Sequence, residues 1–378
     1  MLLLFGVLLI VDRPLFWVFL AAIATLIFLI KRALPIASYA YVSSRVRVMH
    51  GKMLGSEKIN ELSDAKSINE VVSSFEGTSY EPYVAGKNDI AKIEKALSLN
   101  LANDYRTIVR SCPRKAEPFF KLLCARYDLE NVRAIVSAKE TGSTEVEFYP
   151  GILSEAFLQK MNEAESIQEI IEMLKATPYR EFAESLPADV SAIEFQKALD
   201  RYIFEKALGR KKVYEVVKKA GITQDQQYLV KIYGMQADIM NLKIALRCLR
   251  DNISHEKLNS LLLKNGYFIG DKHLELLSDV RDIGTMLSAI EGTPYHDLLS
   301  EKLRNFNTKG SLNQIEKALD DLWLQSVKSY YLKQPFGLTP IACYLALKEA
   351  EILNIRAILN SIRIGLPKDK VGEVVLGV

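Results

Sequence analysis

The segment that decides the fold occurs three times. Residues 67–80 read SINEVVSSFEGTSY, residues 166–179 read SIQEIIEMLKATPY and residues 282–295 read DIGTMLSAIEGTPY. Apolar residues in each copy recur at i, i+3, i+4 and i+7, which predicts a short helix with one buried face. Each copy also begins with a residue suited to cap a helix N-terminus: Ser67, Ser166 and Asp282.

The ends of these segments carry turn signals. Glu70 and Glu169 stand three residues after their caps and are predicted to complete a capping box, from which Thr285 departs. Gly77 and Gly292 suit the left-handed position that ends a helix. The Thr-Pro pairs of the second and third copies then predict the start of another helix. Each copy is therefore predicted to form helix, tight turn and helix.

Two further segments recur in the same order. The first reads IEKAL at residues 93–97 and 315–319 and is looser at residues 193–199. The second reads DLENVR, DIMNLK and EILNIR, beginning at Asp128, Asp238 and Glu351. The copies lie about 100–120 residues apart, which is the size of a domain rather than of a solenoid repeat.

The regions between these segments also favour helices, and strand signals are scarce. We therefore predict an all-α protein of three related helical bundles. An apolar segment precedes them in residues 1–35. The predicted repeat domains are residues 36–150, 151–270 and 271–378.

Composition restricts the function classes. The chain has 378 residues, 49% hydrophobic and 25% charged, with a formal net charge of +3. This balance predicts a folded protein and argues against nucleic-acid binding, which usually needs a clustered basic excess. The four cysteines (Cys112, Cys124, Cys248 and Cys343) form no CxxC pair, so neither a zinc ribbon nor a thioredoxin-like site is predicted.

The first 35 residues differ from the rest. Met1–Val11 is apolar, and Leu15–Ile30 is a 16-residue run with Thr25 as its polar break, followed by Lys31-Arg32. A membrane span needs about 20 apolar residues, so the run is slightly short, although bilayers can thin. Two interpretations stay open: a membrane anchor that keeps the rest of the chain in the cytoplasm, or a non-native start.

Three sets of repeated polar residues are candidates for function. Asn131, Asn241 and Asn354 could face a partner, but we favour a structural role: buried amides that hydrogen-bond a neighbouring helix or turn. Asp128, Asp238 and Glu351 lie three residues earlier on the same face. Tyr80, Tyr179 and Tyr295 could form a contact surface, but we favour core rings with their hydroxyl groups at the rim.

Evidence for catalysis is thin. None of the four histidines, His50, His255, His273 and His296, has the i+3 or i+4 partner of a helical metal pair. The basic run 210–212 is too short for a nucleic-acid patch. P-loop, G-x-S-x-G and G-x-G-x-x-G motifs are absent from the sequence. We predict no catalytic, cofactor-binding or metal-binding residues, no cofactor, no small-molecule substrate and no enzymatic activity.

A family resemblance follows from the ordered set of motifs. It rests on these residues: Tyr39-Ala40-Tyr41, Arg45-Val46-Arg47, Met49, Leu54, the repeated T-P-Y helix ends, Asn354-Ile355-Arg356 and Gly365-Leu366-Pro367. Together they resemble the C-subunit family of archaeal and bacterial A/V-type ATP synthases, whose eukaryotic relative is the d-subunit of the V-type ATPase. The resemblance covers about residues 38–378, and the apolar N-terminus departs from it.

The resemblance implies a non-catalytic central-stalk subunit. Its fold would be a funnel of three helical domains about a pseudo-threefold axis. Its partners would be the central-shaft subunits of the catalytic head and the proteolipid subunits of the membrane rotor ring. It would lie at the membrane surface, on the cytoplasmic face of the cell membrane, and couple proton or sodium flow to ATP synthesis or hydrolysis.

Two other function classes remain at this point. One is a membrane-anchored helical adaptor unrelated to ATP synthases, which a genuine anchor without ATPase partners would favour. The other is an enzyme whose site assembles only in three dimensions, which loss of turnover on a single substitution would reveal.

Overall fold

The computed structural model describes residues 13–143, 146, 148–149, 151–207, 209–220, 223–303 and 312–377. The protein is 75% helical, and this described part contains no strand. The predicted all-α class is therefore confirmed. Met1–Val11, the first part of the apolar segment, lies outside the described residues.

The helices follow one another along the whole described chain. Their bounds are α1 Arg13–Ala37, α2 Ala40–His50, α3 Ser56–Ser63, α4 Ile68–Ser73, α5 Glu81–Val84, α6 Ile90–Ser111, α7 Glu117–Thr141, α8 Glu155–Glu163, α9 Ile167–Lys175, α10 Arg180–Glu184, α11 Ala192–Arg201, α12 Arg210–Lys219, α13 Thr223–Arg250, α14 His255–Leu261, α15 Asp271–Ser278, α16 Ile283–Ala289, α17 Pro294–Leu303, α18 Asn313–Lys333, α19 Leu338–Ile364 and α20 Lys368–Val371. A 3₁₀ turn (Arg114–Ala116) precedes α7, and a π-helical turn (Tyr202–Ala207) follows α11.

The repeated short helices α4, α9 and α16 begin as predicted. The side chains of Ser67, Ser166 and Asp282 each accept a hydrogen bond from the backbone N–H three residues on. The capping boxes differ from the prediction. Thr285 does complete one, since its hydroxyl accepts from the Asp282 N–H at 3.1 Å. Glu70 and Glu169 instead accept from the N–H one residue before their caps.

The predicted turn glycines are also confirmed. Gly77 has a φ of 73° and Gly292 a φ of 79°. A residue with a Cβ would be strained in this left-handed region, and glycine is not. The chain can therefore reverse tightly after the first and third copies of the short helix.

The three longest helices of the body, α7, α13 and α19, carry the three Asn segments. Helix α19 is buried over most of its length and packs against α2, α3, α6, α13 and α18. Its 27 residues extend about 40 Å at 1.5 Å per residue. A helix that is apolar on most sides needs neighbours all round, which explains its central place.

The buried apolar residues form two clusters. One joins the first two copies with much of α19, so Tyr39 and Val42 near the start of the body share a core with Leu359 near its end. The other joins the second half of α13 to the third copy, from Met235 to Leu319. The beginning and end of the body are thus packed together.

Helix α1 precedes this body. Among the residues whose side chains are described, we find no helix that combines the length and the apolar character needed to cross a membrane.

Candidate functional site

The repeated asparagines are buried and hydrogen-bonded. Each side-chain amide donates to the carbonyl and accepts from the N–H of one residue in a later loop. The pairs are Asn131 with Tyr149 (2.9 and 2.7 Å), Asn241 with Leu263 (2.8 and 2.7 Å) and Asn354 with Leu376 (2.8 and 2.7 Å). The predicted structural role is confirmed, because these amides satisfy backbone groups inside the protein.

The repeated carboxylates pair with the repeated tyrosines. The phenol of Tyr179 donates to Asp128, that of Tyr295 to Asp238 (3.0 Å), and that of Tyr80 to Glu351 (2.5 Å). We call each pair a carboxylate–tyrosine joint. The rings are buried as predicted, but the hydroxyl groups are buried with them and do not lie at the rim. A buried carboxylate needs donors, and the phenol supplies one.

The joints connect the copies in a cycle. The carboxylate of the first copy accepts a hydrogen bond from the tyrosine of the second copy. The carboxylate of the second copy accepts one from the tyrosine of the third. The carboxylate of the third copy, Glu351, takes the tyrosine of the first, Tyr80, across 271 residues of sequence. The three copies are therefore joined head to tail, with the last returning to the first.

A second set of contacts repeats the same cycle. Two residues after each asparagine stands a basic residue, which bonds the residue that follows the Ala-Leu pair of the next copy. These contacts are Arg133 with Asp200, Lys243 with Asp320 (2.6 and 2.7 Å) and Arg356 with Ser98 (2.7 Å). Two independent sets of polar contacts thus connect each copy to the next through equivalent residues.

Burial changes the titration of the carboxylates in the joints. Desolvation raises the pKa of Asp128 and of Glu351, and raises that of Asp238 to about 6. Hydrogen bonds from backbone N–H groups and from the tyrosine act in the opposite direction but do not cancel it. These groups sit in a poorly solvated interior and not at an open catalytic surface.

A cavity of about 450 Å³ lies between α7, α13 and α19. Its lining includes equivalent positions of the three helices. Five residues before the asparagine stand Arg126, Gln236 and Glu349, and one residue before it stand Glu130, Met240 and Leu353. The cavity is therefore surrounded by the inner faces of the three repeated helices.

Four of the six charged groups that line the cavity are paired with one another; of the other two, Glu130 is paired with Arg133, and Arg356 bonds the hydroxyl groups of Tyr149 and Ser98. Arg126 forms an ion pair with Glu349, which also accepts from the Tyr105 hydroxyl at 3.1 Å. Lys243 is paired with Asp320. Charges already satisfied by the wall offer little to a small polar ligand, which needs converging free groups.

The rest of the lining is largely apolar. Phe204, Ile239, Trp323 and Ile352 contribute to it, and Leu353 is 52% exposed at its edge. An exposed leucine beside a methionine and aromatic rings is typical of a groove that receives an apolar helix. The geometry can therefore accept the apolar end of a helical partner.

The described residues contain no group of three or more His, Cys, Asp or Glu side chains placed to hold a metal ion. The four cysteines are free, and burial raises the pKa of Cys112 and of Cys124 to about 12, which keeps their thiols protonated.

Sequence reasoning did not identify the cavity. It singled out the asparagines, whose side chains face the loops and not the cavity. Residues that line the cavity lie one and five positions before each asparagine. The three long helices carry different residue types at these equivalent positions. Those positions vary in type, so they do not stand out in a search for repeated letters.

Comparison with known proteins finds one family across most of the chain. The family model described as ATP synthase (C/AC39) subunit matches residues 42–374. A protein of Methanosphaera stadtmanae, named as the C-subunit of an A-type ATP synthase, is 30% identical over 349 residues, covering 89% of this chain and 88% of its own. Proteins of the same name from Methanobrevibacter smithii and Methanocaldococcus jannaschii are 29% and 30% identical, over 91% and 89% of this chain and 89% and 85% of their own.

The match extends over all three copies of the repeat and both sets of cyclic contacts. It omits α1, where the sequence also departed from the resemblance. By sequence, the chain belongs to the ATP synthase (C/AC39) subunit family.

Proposed function

We propose that this chain is the central-stalk subunit of an A-type rotary ATP synthase, which joins the central shaft of the catalytic head to the membrane rotor ring. The observation that carries the proposal is the cavity between α7, α13 and α19, with its paired charges and apolar lining. Relatives covering almost the whole chain are named as C-subunits of A-type ATP synthases.

The role is mechanical and non-catalytic. A coupling element must transmit torque without deforming, and close packing resists deformation. The two sets of cyclic contacts support this role because they tie the last helix to the first copy. They also support three helical domains around one axis, with the shaft end received between the long helices.

The partners on the membrane side are the proteolipid subunits of the rotor ring, on the cytoplasmic face of the cell membrane. Rotation of this stalk links proton or sodium flow to ATP synthesis or hydrolysis. An adaptor unrelated to ATP synthases does not fit a chain that belongs to this family.

The test is binding of the purified chain to the purified shaft subunits. Leu353→Arg places a charge on the exposed leucine at the edge of the cavity. We expect it to weaken shaft binding at least about tenfold, because binding would bury an unpaired charge in place of an apolar side chain. Binding is measured by calorimetry, and circular dichroism checks that the variant is folded.

The matched control is Leu276→Arg. Leu276 lies on α15, outside the cavity, and is 57% exposed, close to the exposure of Leu353. It should bind the shaft as the unmodified chain does. Equal binding by both variants and the unmodified chain would refute the cavity as the shaft site.

A further inference from the structure

Helix α1 presents apolar side chains in every direction. Each residue from Trp17 to Lys31 is exposed, and Trp17, Phe19 and Phe28 are 68%, 64% and 59% exposed. A protein partner would cover one stripe of such a helix, whereas hydrocarbon can surround all of it. The helix is therefore suited to a lipid environment.

Basic residues collect just before the three long helices, in the 3₁₀ turn before α7 and in the last turns of α6, α12 and α18. Each copy contributes to this set, which we call the basic collar: Arg110, Arg114, Lys115, Lys218, Lys219 and Lys333. All six side chains are exposed, and none of them takes part in an ion pair within the described part of the chain.

Contacts at the start of the long helices bring these turns together. Asp225, on the first turn of α13, accepts from the N–H groups of Leu338 and Thr339 at 2.8 and 3.0 Å, at the start of α19. The turn before α7 reaches the same region, since the Lys115 ammonium lies 5.7 Å from the ring centre of Tyr39. Burial chiefly raises the pKa of Tyr39 above its usual value, and the nearby charges of Cys112 and Asp225 add to this shift.

Helix α1 leaves the body at this same end. Tyr39 stands between α1 and α2 and is fully buried. In α2, Arg45 bonds Ser111 at 3.4 Å and Arg47 bonds the Pro335 carbonyl at 2.9 Å, so α2 spans the turns of the first and third copies. The apolar helix and the basic collar therefore belong to one surface.

Acidic groups do little to neutralise this surface. Glu117 is bound to Lys121 at 2.8 Å, Asp225 is buried, and Glu215 is an exposed carboxylate on α12. In the described part of these turns and the helix ends beside them, the six exposed cations outnumber three carboxylates, of which Asp225 is buried and Glu117 is paired with Lys121.

We infer that helix α1 and the basic collar together bind the surface of a bilayer rich in anionic phospholipid, with α1 entering the apolar layer and the collar contacting the headgroups. An apolar segment and a basic cluster are the two signals that a stable peripheral attachment to lipid requires. Each added lysine or arginine near an anionic surface strengthens the attraction to the headgroups.

The experiment is flotation of the full chain with vesicles of phosphatidylcholine alone or mixed with phosphatidylglycerol. We expect binding to the mixed vesicles, weakened by added salt, which screens headgroup attraction. A fourfold variant, with Arg114, Lys115, Lys218 and Lys219 each changed to Gln, should bind the mixed vesicles at least about tenfold less tightly. A control with Lys160, Lys257, Lys272 and Arg363 changed to Gln, all exposed and on other elements, should bind normally.

Tryptophan fluorescence reports whether α1 enters the bilayer. The chain has two tryptophans, Trp17 and Trp323. Brominated lipid should quench emission from the unmodified chain, and Trp17→Phe should remove that quenching. Because Trp323 lines the cavity, its emission serves as an internal reference.

Three results would overturn the inference: no vesicle binding, equal binding to both vesicle types with no effect of the fourfold variant, or quenching that persists in Trp17→Phe. If the fourfold variant no longer bound the ring subunits but still bound vesicles, the surface would be assigned to a protein partner instead. The vesicle assay uses the isolated chain, so its failure would leave the shaft-binding result of the proposed function untouched.

Discussion

The joint that closes the cycle differs from the joint between the second and third copies in one buried charge. At the internal joint, Asp238 accepts from the N–H groups of Phe268 and Ile269 at 2.8 and 3.1 Å and from the Tyr295 phenol. At the closing joint, Glu351 lies 3.5 Å from the ammonium of Lys348 and accepts from the Tyr80 phenol.

Lys348 is fully buried and specific to the third copy. Its ammonium bonds the Ser79 hydroxyl at 2.9 Å and lies 3.5 Å from the ring centre of Tyr80. The equivalent positions of the first two copies hold Ala125 and Met235. The repeat therefore keeps the carboxylate–tyrosine contact, while the group that balances the carboxylate changes from one joint to another.

The largest effect should come from removing that lysine. Lys348→Met leaves Glu351 buried without its cation, and breaking a buried ion pair costs about 3–5 kcal/mol. We expect the free energy of unfolding to fall by that amount in urea titrations followed by circular dichroism. The free energy of unfolding should fall less in the double variant with Lys348→Met and Glu351→Gln than in Lys348→Met alone. A loss below about 1 kcal/mol for Lys348→Met would mean that the buried lysine does not stabilise the closing joint.

The next effect concerns Asn241 and Asn354, which lie three residues after the carboxylates of the two joints and should behave alike. Asn241→Leu leaves the N–H and the carbonyl of Leu263 without partners inside the protein. Two unsatisfied buried groups cost about 2–4 kcal/mol together, and Asn354→Leu should cost a similar amount. Shaft binding by the protein that remains folded should be unchanged. Unchanged melting with lost shaft binding would make the asparagine an interface residue.

The third effect is a pH dependence at the internal joint. The pKa of Asp238 is about 6 in the folded protein and about 3.9 when unfolded, so protonation favours the folded state. Its contribution is complete below about pH 4 and is lost as pH rises through 6. The free energy of unfolding of the unmodified chain, relative to Asp238→Asn, should fall by about 2–3 kcal/mol over that interval. A constant difference between the two proteins, measured by urea titration at each pH, would contradict the raised pKa.

Much of the fold was accessible from the sequence because it rests on local signals. Caps, turn glycines and apolar periodicity act within one helix, and the asparagines recur in an apolar helical pattern that implied burial. Thr285 was misjudged because a hydroxyl can replace the usual glutamate in a capping box.

The closing joint and the cavity were not accessible in this way. Tyr80 and Glu351 are 271 residues apart, so no local spacing connects them. Lys348 reads as a solvent-facing helix residue, and only the packing of α19 against the first copy buries it. The cavity depends on three helix faces that meet only in the folded chain.

The most direct test of the proposed coupling role is a mass-spectrometric inventory of the proteins that co-purify with this chain from gently solubilised native membranes. We expect one copy of the chain together with shaft, catalytic-head and rotor-ring subunits. Recovery of the chain alone, or with membrane proteins unrelated to a rotary ATPase, would contradict the coupling role.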